Sequence, residues 1–227
     1  SRRLAAVADS SHAGKGSSYA FEGNMILLQA ENHARPQRTR DYQSVLKANS
    51  IAGLSGRAHP LHVKSQKAKR LSQSTSHAET LAQLSCTAVA ECLAMRYTEM
   101  QLAWRGVGVD IRRNSVHRGC PTLETLMEKD LDGAYVVPVD SYTDCLDLLE
   151  LTTGLQGVPQ DRHQRLAILA LREKRVSGRI RLSYWIQTHW MIANCLTKHD
   201  WSTQPMWDLL LHGWWQIDGD VRIRQTA

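Results

Sequence analysis

The stretch from Ser76 to Met100 constrains the fold more than any other. Leu81, Leu84, Ala88, Cys92 and Met95 recur there at helical spacing, so the sequence predicts one long helix with an apolar stripe. Three strand-like runs precede it, and strands and helices alternate after it. A long helix behind three short strands has to cover the face of a sheet, which predicts an α/β fold with a mixed sheet.

The start of that helix carries a second signal. Ser76 and Glu79 have the Ser-x-x-Glu spacing of a capping box, in which the two side chains satisfy orphan amides at the helix start. Glu79 also follows a basic run, Lys64, Lys67, Lys69 and Arg70. A carboxylate there is most simply a cap. It is also one leg of a metal-binding cluster if other acids converge on it.

The remaining elements follow from periodicity and turn residues. Leu4 to Val7 reads as a strand ending at Asp9, Tyr19 to Leu28 as a second and Leu61 to Lys64 as a third. Glu31 to Ser55 reads as a loop or insertion with a short helix around Tyr42 to Asn49. Arg105 to Arg118 reads as loop, Thr122 to Lys129 as a short helix and Tyr135 to Val139 as a fourth strand. Pro138 points to an edge or an early break there. Cys145 to Thr152 and Asp161 to Arg175 read as helices, Ile180 to Ile186 as the fifth strand, and Trp190 to Lys198 and Met206 to Trp215 as helices. The domain reading is one unit over 1–200, with an insertion at about 31–56, and a Trp-rich helical extension over 201–227.

Acids sit at the junctions of these elements. Asp9 ends the first strand, Glu79 opens the long helix, and Asp140 and Asp144 lie at the end of the fourth strand. Strand ends and helix starts gather along one edge of an open α/β sheet, and hard cations such as Mg²⁺ want several carboxylate oxygens held rigidly. The plain alternatives are a turn residue at Asp9 and a solvated acidic face through Asp140, Asp144, Asp147 and Glu150. His59 and His62 form an HxxH pair without a third ligand and read as surface histidines. Trp201, Trp207, Trp214 and Trp215 read as core or interface packing residues, with base stacking as the alternative.

Composition narrows the partners. The 227 residues carry a net charge of +6 and a pI of about 9.2, which favours a polyanion such as nucleic acid. None of the five cysteines forms a CxxC, so neither a disulfide framework nor a zinc site is expected, and a reducing, intracellular compartment fits. No apolar run is long enough to span a bilayer. The chain begins at Ser1, which reads as a piece of something longer.

Three blocks carry a resemblance. Val7 to Gly14 is similar to an SDADWAG block after a first strand. Lys67 to Ser72 with Ser76 to Glu79 is similar to QKTVALSSTEAEY. Leu171 to Lys174, Gly178 to Leu182 and Met191 to Lys198 are similar to IREKVESGEIEL followed by QLADILTK. Together, in this order, they resemble the ribonuclease H domain that ends the Pol polyprotein of copia-type LTR retrotransposons.

The resemblance implies a ribonuclease H-like fold, a five-stranded mixed sheet with three antiparallel strands first, flanked by helices. It implies hydrolysis of RNA in RNA–DNA hybrids during reverse transcription by two Mg²⁺ ions, with Mn²⁺ as a substitute. Of the four acids expected, Asp9 matches the first and Glu79 the second. Asp144 best fits the third, with Asp140 as the fallback. The fourth position is Asn194, which brings an amide in place of a charge. Lys64, Lys67, Lys69, Arg70, Arg172, Lys174, Arg175 and Arg179 are the expected phosphate contacts. The implied partners are the hybrid and the reverse transcriptase portion of the same polyprotein, with no membrane, in a cytoplasmic particle or the nucleus. Asn194 leaves a second reading, a catalytically degenerate, transposon-derived nucleic-acid-binding remnant. An integrase-like strand-transfer domain shares the fold, but its Glu comes late in the chain, whereas Glu79 comes second.

Overall fold

The computed structural model describes residues 2–11, 20–30, 54–68, 74–105, 127, 135–217 and 221–225. Those residues form a mixed α/β structure with one seven-stranded sheet and four helices. The strands are β1 (Arg2–Ser11), β2 (Phe21–Ala30), β3 (Gly56–Lys67), β4 (Val139–Thr143), β5 (Leu182–Ile186), β6 (Trp214–Trp215) and β7 (Val221–Gln225). They lie in the order β6-β3-β2-β1-β4-β5-β7. β1, β2 and β3 form an antiparallel meander, β4 and β5 run parallel to β1, and β6 and β7 pair antiparallel at the two edges. The helices are α1 (Thr75–Arg105), α2 (Leu146–Thr153), α3 (Arg162–Val176) and α4 (Gln204–His212).

The five expected strands become seven because the segment after residue 200 is not helix alone. Gly213, at φ 64°, ends α4 in the left-handed conformation that glycine adopts at least cost. The chain then turns into β6, where Trp215 is 1% exposed and meets the Tyr142 ring edge-on at 5.1 Å. The predicted fourth strand is also displaced. Residues 135–138 lie outside it and β4 starts at Val139, after Pro138, whose carbonyl accepts from the Leu4 amide at 2.8 Å. β4 is a central strand, not an edge. Trp190 to Lys198 forms two 3₁₀ turns, Thr188–Trp190 and Ile192–Leu196, in place of the predicted helix. The expected loops and helices within 31–53 and 106–134 fall outside the described residues, Met127 apart.

β1 is buried from Arg3 to Ser10, and its alternation divides the core. Leu4, Ala6 and Ala8 face α1, where they meet Ala82, Cys86, Ala90 and Ala94. The buried stripe of α1 is thus built from small residues four apart, not from the predicted stripe. Ala88 and Cys92 are exposed, and Leu81, Leu84 and Met95 are half-buried. Small side chains let the helix axis come close to the sheet, so contact is made by backbone-proximal atoms at high density. On the other face, Ala5 and Val7 join Met25, Leu27, Tyr142, Tyr184, Ile192 and Trp215. α2 and α3 pack together through Leu148, Leu151, Ile168 and Leu171. No helix among the described residues is long and apolar enough to cross a membrane.

One end of β4 holds a buried ion network. Asp140, fully buried, accepts from Arg181 at 2.7 and 2.9 Å and from Arg3 at 3.3 Å. Arg3 also donates to Gln29 at 3.0 Å and lies over the stacked rings of Tyr142 and Tyr184. Removing the carboxylate strands a buried guanidinium. Asp140→Ala is therefore expected to cost about 3–5 kcal/mol, read as a lower denaturation midpoint in urea.

Candidate metal centre

Asp9, Glu79 and Asp144 come from three elements that end in one place. In the parallel pairing of β1 with β4, Ala5 is level with Asp140 and Val7 with Tyr142. Continuing that register brings Asp9 level with Asp144. α1 runs antiparallel to β1: the Cys86 thiol lies on the Val7 carbonyl at 3.5 Å, and Glu79 reaches Ser10. Seven helical residues and three strand residues each advance about 10 Å, so the two contacts are mutually consistent. One carboxylate oxygen from each of Asp9, Glu79 and Asp144 lies within 4.8 Å of the others. This group could hold a metal ion. The fallback Asp140 lies four residues back along β4, about 13 Å away at the strand rise, and is committed to Arg3 and Arg181.

Glu79 does not serve the predicted capping box. Ser74 Oγ accepts from the His77 amide at 3.1 Å and so caps the helix. Ser76 Oγ accepts instead from the Gln164 side chain at 3.1 Å. Glu79 sits one turn further in, where Oε1 accepts from the Ser10 amide at 3.1 Å and the Ser10 hydroxyl at 2.9 Å. Its other oxygen and the Asp144 carboxylate take no hydrogen bond among the described residues. The Trp185 indole N–H donates to the Asp144 carbonyl at 2.8 Å and fixes that turn.

Asp9 is held from the opposite side by residues to which no role was assigned. Thr197 Oγ1 donates to Asp9 Oδ2. Lys198 Nζ donates to Asp9 Oδ1 at 3.3 Å and to Asn194 Oδ1. Asn194, fully buried, donates its Nδ2 to the Thr188 carbonyl. It reaches the cluster through Lys198. Asn194, Thr197 and Lys198 have the i, i+3, i+4 spacing that brings side chains to one side of a helical turn, which is the sequence signal that groups them. The turn can reach β1 because Gly23, paired with Asp9 across β1 and β2, has no side chain. A Cβ there would meet Thr197 Cγ2 at 2.8 Å, Leu196 Cβ at 2.9 Å and the Ala193 carbonyl at 3.0 Å.

The electrostatics oppose an unneutralised cluster. Burial pushes the Asp9 carboxyl up to about 6, against the hydrogen bond from Thr197 and the charge of Lys198. Burial and the charges of Asp9 and Asp144 push Glu79 up to about 8. A divalent cation would reverse both shifts by favouring the charged forms.

The expected phosphate contacts divide. Lys64 and Lys67 lie on β3 opposite Asn24 and Phe21 of β2, on strand positions flanking Gly23 and hence the level of Asp9. Three residues of α3 serve the fold instead. Arg175 is buried and donates to the Thr152 carbonyl at 3.0 Å. Arg172 donates to the carbonyls of Leu151 at 2.7 Å and Gln156 at 2.8 Å. Lys174 pairs with Glu91 of α1 at 2.6 Å. Arg172 and Arg175 close the C-terminal end of α2, and Lys174 clamps α3 to α1. Arg179 is half-buried just after α3, and Lys69 and Arg70 lie outside the described residues. Of the expected packing tryptophans, Trp215 is buried, whereas Trp207 and Trp214 are exposed.

No family model, no curated protein and no solved structure matches this chain.

Two expectations follow from the geometry. Both raised carboxyls favour the protonated state in the folded chain, so their stabilising contribution is complete below their ordinary values of 3.8 and 4.5. It is lost as pH rises through about 6 and about 8. Denaturant titrations of the metal-free protein should thus show stability falling across that window, and saturating Mg²⁺ should flatten the slope. Gly23→Ala should cost about 1–3 kcal/mol through overpacking, whereas Gly157→Ala, which meets nothing within 4 Å, should stay within about 0.5 kcal/mol in the same assay.

Proposed function

We propose that this chain is a ribonuclease H-like nuclease domain of a copia-type retrotransposon polyprotein, which hydrolyses the RNA strand of RNA–DNA hybrids during reverse transcription. The convergence of Asp9, Glu79 and Asp144 carries the proposal. They come from the first strand, the first long helix and the end of the fourth strand, the elements to which the resemblance assigns its acids. The inner five strands, β3-β2-β1-β4-β5, also suit that fold, with an antiparallel trio followed by two parallel strands.

The donor set suits Mg²⁺ or Mn²⁺. It is all carboxylate oxygen, without thiolate or imidazole, and hard divalent ions prefer oxygen ligands. Asp9, Glu79 and Asp144 would hold the metal. Bound Mg²⁺, of which the resemblance implies two ions, supplies an activated water and stabilises the leaving 3′ oxygen. Ser10 orients Glu79, Trp185 fixes the Asp144 turn, and Thr197 holds Asp9 in one rotamer. Lys67 shares a face of β3 with Ser65, which bonds the turn that holds Asp9, and suits the phosphates of a hybrid held over the acids. The reverse transcriptase portion of the same polyprotein would be the adjoining partner.

A second reading has an observation in its favour. Asn194, at the position of the resemblance's fourth acid, brings no negative charge, which suits a remnant that binds hybrid without cutting it. Incubation with a labelled RNA–DNA hybrid and Mg²⁺ or Mn²⁺ separates the two. The nuclease reading expects RNA-strand products with 5′-phosphate and 3′-hydroxyl ends. It also expects a loss of about a hundredfold or more in Asp9→Asn, the scale of a lost metal ligand. Salt-sensitive hybrid binding without cleavage under either metal would establish the remnant reading and reject the nuclease.

A further inference from the structure

The surroundings of Lys198 resemble those of a bound cation. An ammonium has three donors and no acceptor. Here Nζ donates to Asp9 Oδ1 at 3.3 Å and to Asn194 Oδ1, and it lies 5.5 Å from the centre of the Trp201 ring. Two oxygens and an aromatic face thus enclose it, and cation–π attraction adds to the charge contact. The Asn194 amide is oriented for this task. Its Nδ2 is committed to the Thr188 carbonyl, so its oxygen is the end turned to Lys198.

The supports of this arrangement come from the protein. Ser65 Oγ donates to the Leu196 carbonyl at 2.6 Å, and Gly23 leaves room for the turn. The Lys198 side chain is 33% exposed, so about two-thirds of it is packed in place. The charge count runs the same way. Three carboxylates gather at the site with one ammonium in contact. On the Lys198 side the available ligands are one Asp9 oxygen and one neutral amide. That set offers a divalent ion a single shared negative charge, which is poor for a hard cation that wants several. It suits a monovalent ammonium well.

We propose that Lys198 Nζ takes the place of the second divalent cation, so that the centre binds a single metal ion, held by Glu79, Asp144 and Asp9. This rests on the reading of the three acids as a metal centre. The residue at position 194 and Lys198 then act as a matched pair, a neutral acceptor with a resident ammonium. In place of a removable double charge, the chain carries a fixed single one.

Mn²⁺ titration of the full chain tests this by calorimetry and electron paramagnetic resonance. The wild-type protein should bind one Mn²⁺ without Mn–Mn coupling. Lys198→Met, which keeps the stem and removes the charge, should tighten that ion on the order of tenfold, because a like charge a few ångströms away is removed. Asn194→Asp combined with Lys198→Met should bind two coupled ions. Two ions in the wild-type protein, or one in a folded double variant, would overturn the proposal. If the double variant does not fold, an unchanged Mn²⁺ affinity in Lys198→Met overturns it equally. A wild-type chain that binds no Mn²⁺ defeats the metal-centre reading itself, an outcome distinct from binding two.

Discussion

The close passage of α1 across β1 sets the rest of the structure. It depends on side chains that are nearly absent: Ala82, Cys86, Ala90 and Ala94 against Leu4, Ala6 and Ala8. Larger residues would lift the helix off the sheet by an ångström or more. Because the approach is close and antiparallel, the start of the helix lies over the end of the strand. Glu79 is then within reach of Ser10, and Asp9 beside it. The acidic centre is a consequence of how densely the core packs, since its carboxylates stand on β1, on α1 and on the residue after β4.

β4 carries two acids, and their treatment differs. Asp140 faces two arginines and is neutralised within the fold. Asp144, the first residue past the strand, has no ion-pair partner among the described residues and lies against two further carboxylates. Burial of unlike charges in the first case contributes structure. Gathering of like charges in the second works against it, and the raised carboxyls of Asp9 and Glu79 record that cost. Braced by Thr197 and Lys198, the cluster could hold a metal ion.

Much of this was legible in the residues, and what was not has physical reasons. The meander, the long helix and the junction acids follow from periodicity and position. The buried face of α1 does not, because alanine, threonine and cysteine give a weak apolar signal beside Leu81 or Met95. The helix cap lies two residues before the predicted one, since Ser74, Ser76 and Glu79 offer competing spacings and only geometry selects among them. The last strands were hidden because Trp214 and Trp215 continue the apolar pattern of α4, and Gly213 alone marks the break. The basic residues of α3 are a different case. Sequence records charge but not direction, and Arg175 points inward to a helix end. The importance of Lys198 lay in a contact 189 residues away in sequence.

β3 has twelve residues, yet β6 pairs only with Gly56 and Arg57. From His59 to Lys67 the outer backbone of β3 has no strand beside it among the described residues. Such an edge invites another chain to add a strand. Pro60 offers no amide there, and Lys64 and Lys67 stand on the same stretch. The two lysines therefore discourage the sheet from extending into a neighbouring molecule. The placement of charge on this edge thus bears on keeping copies of the chain apart at high concentration.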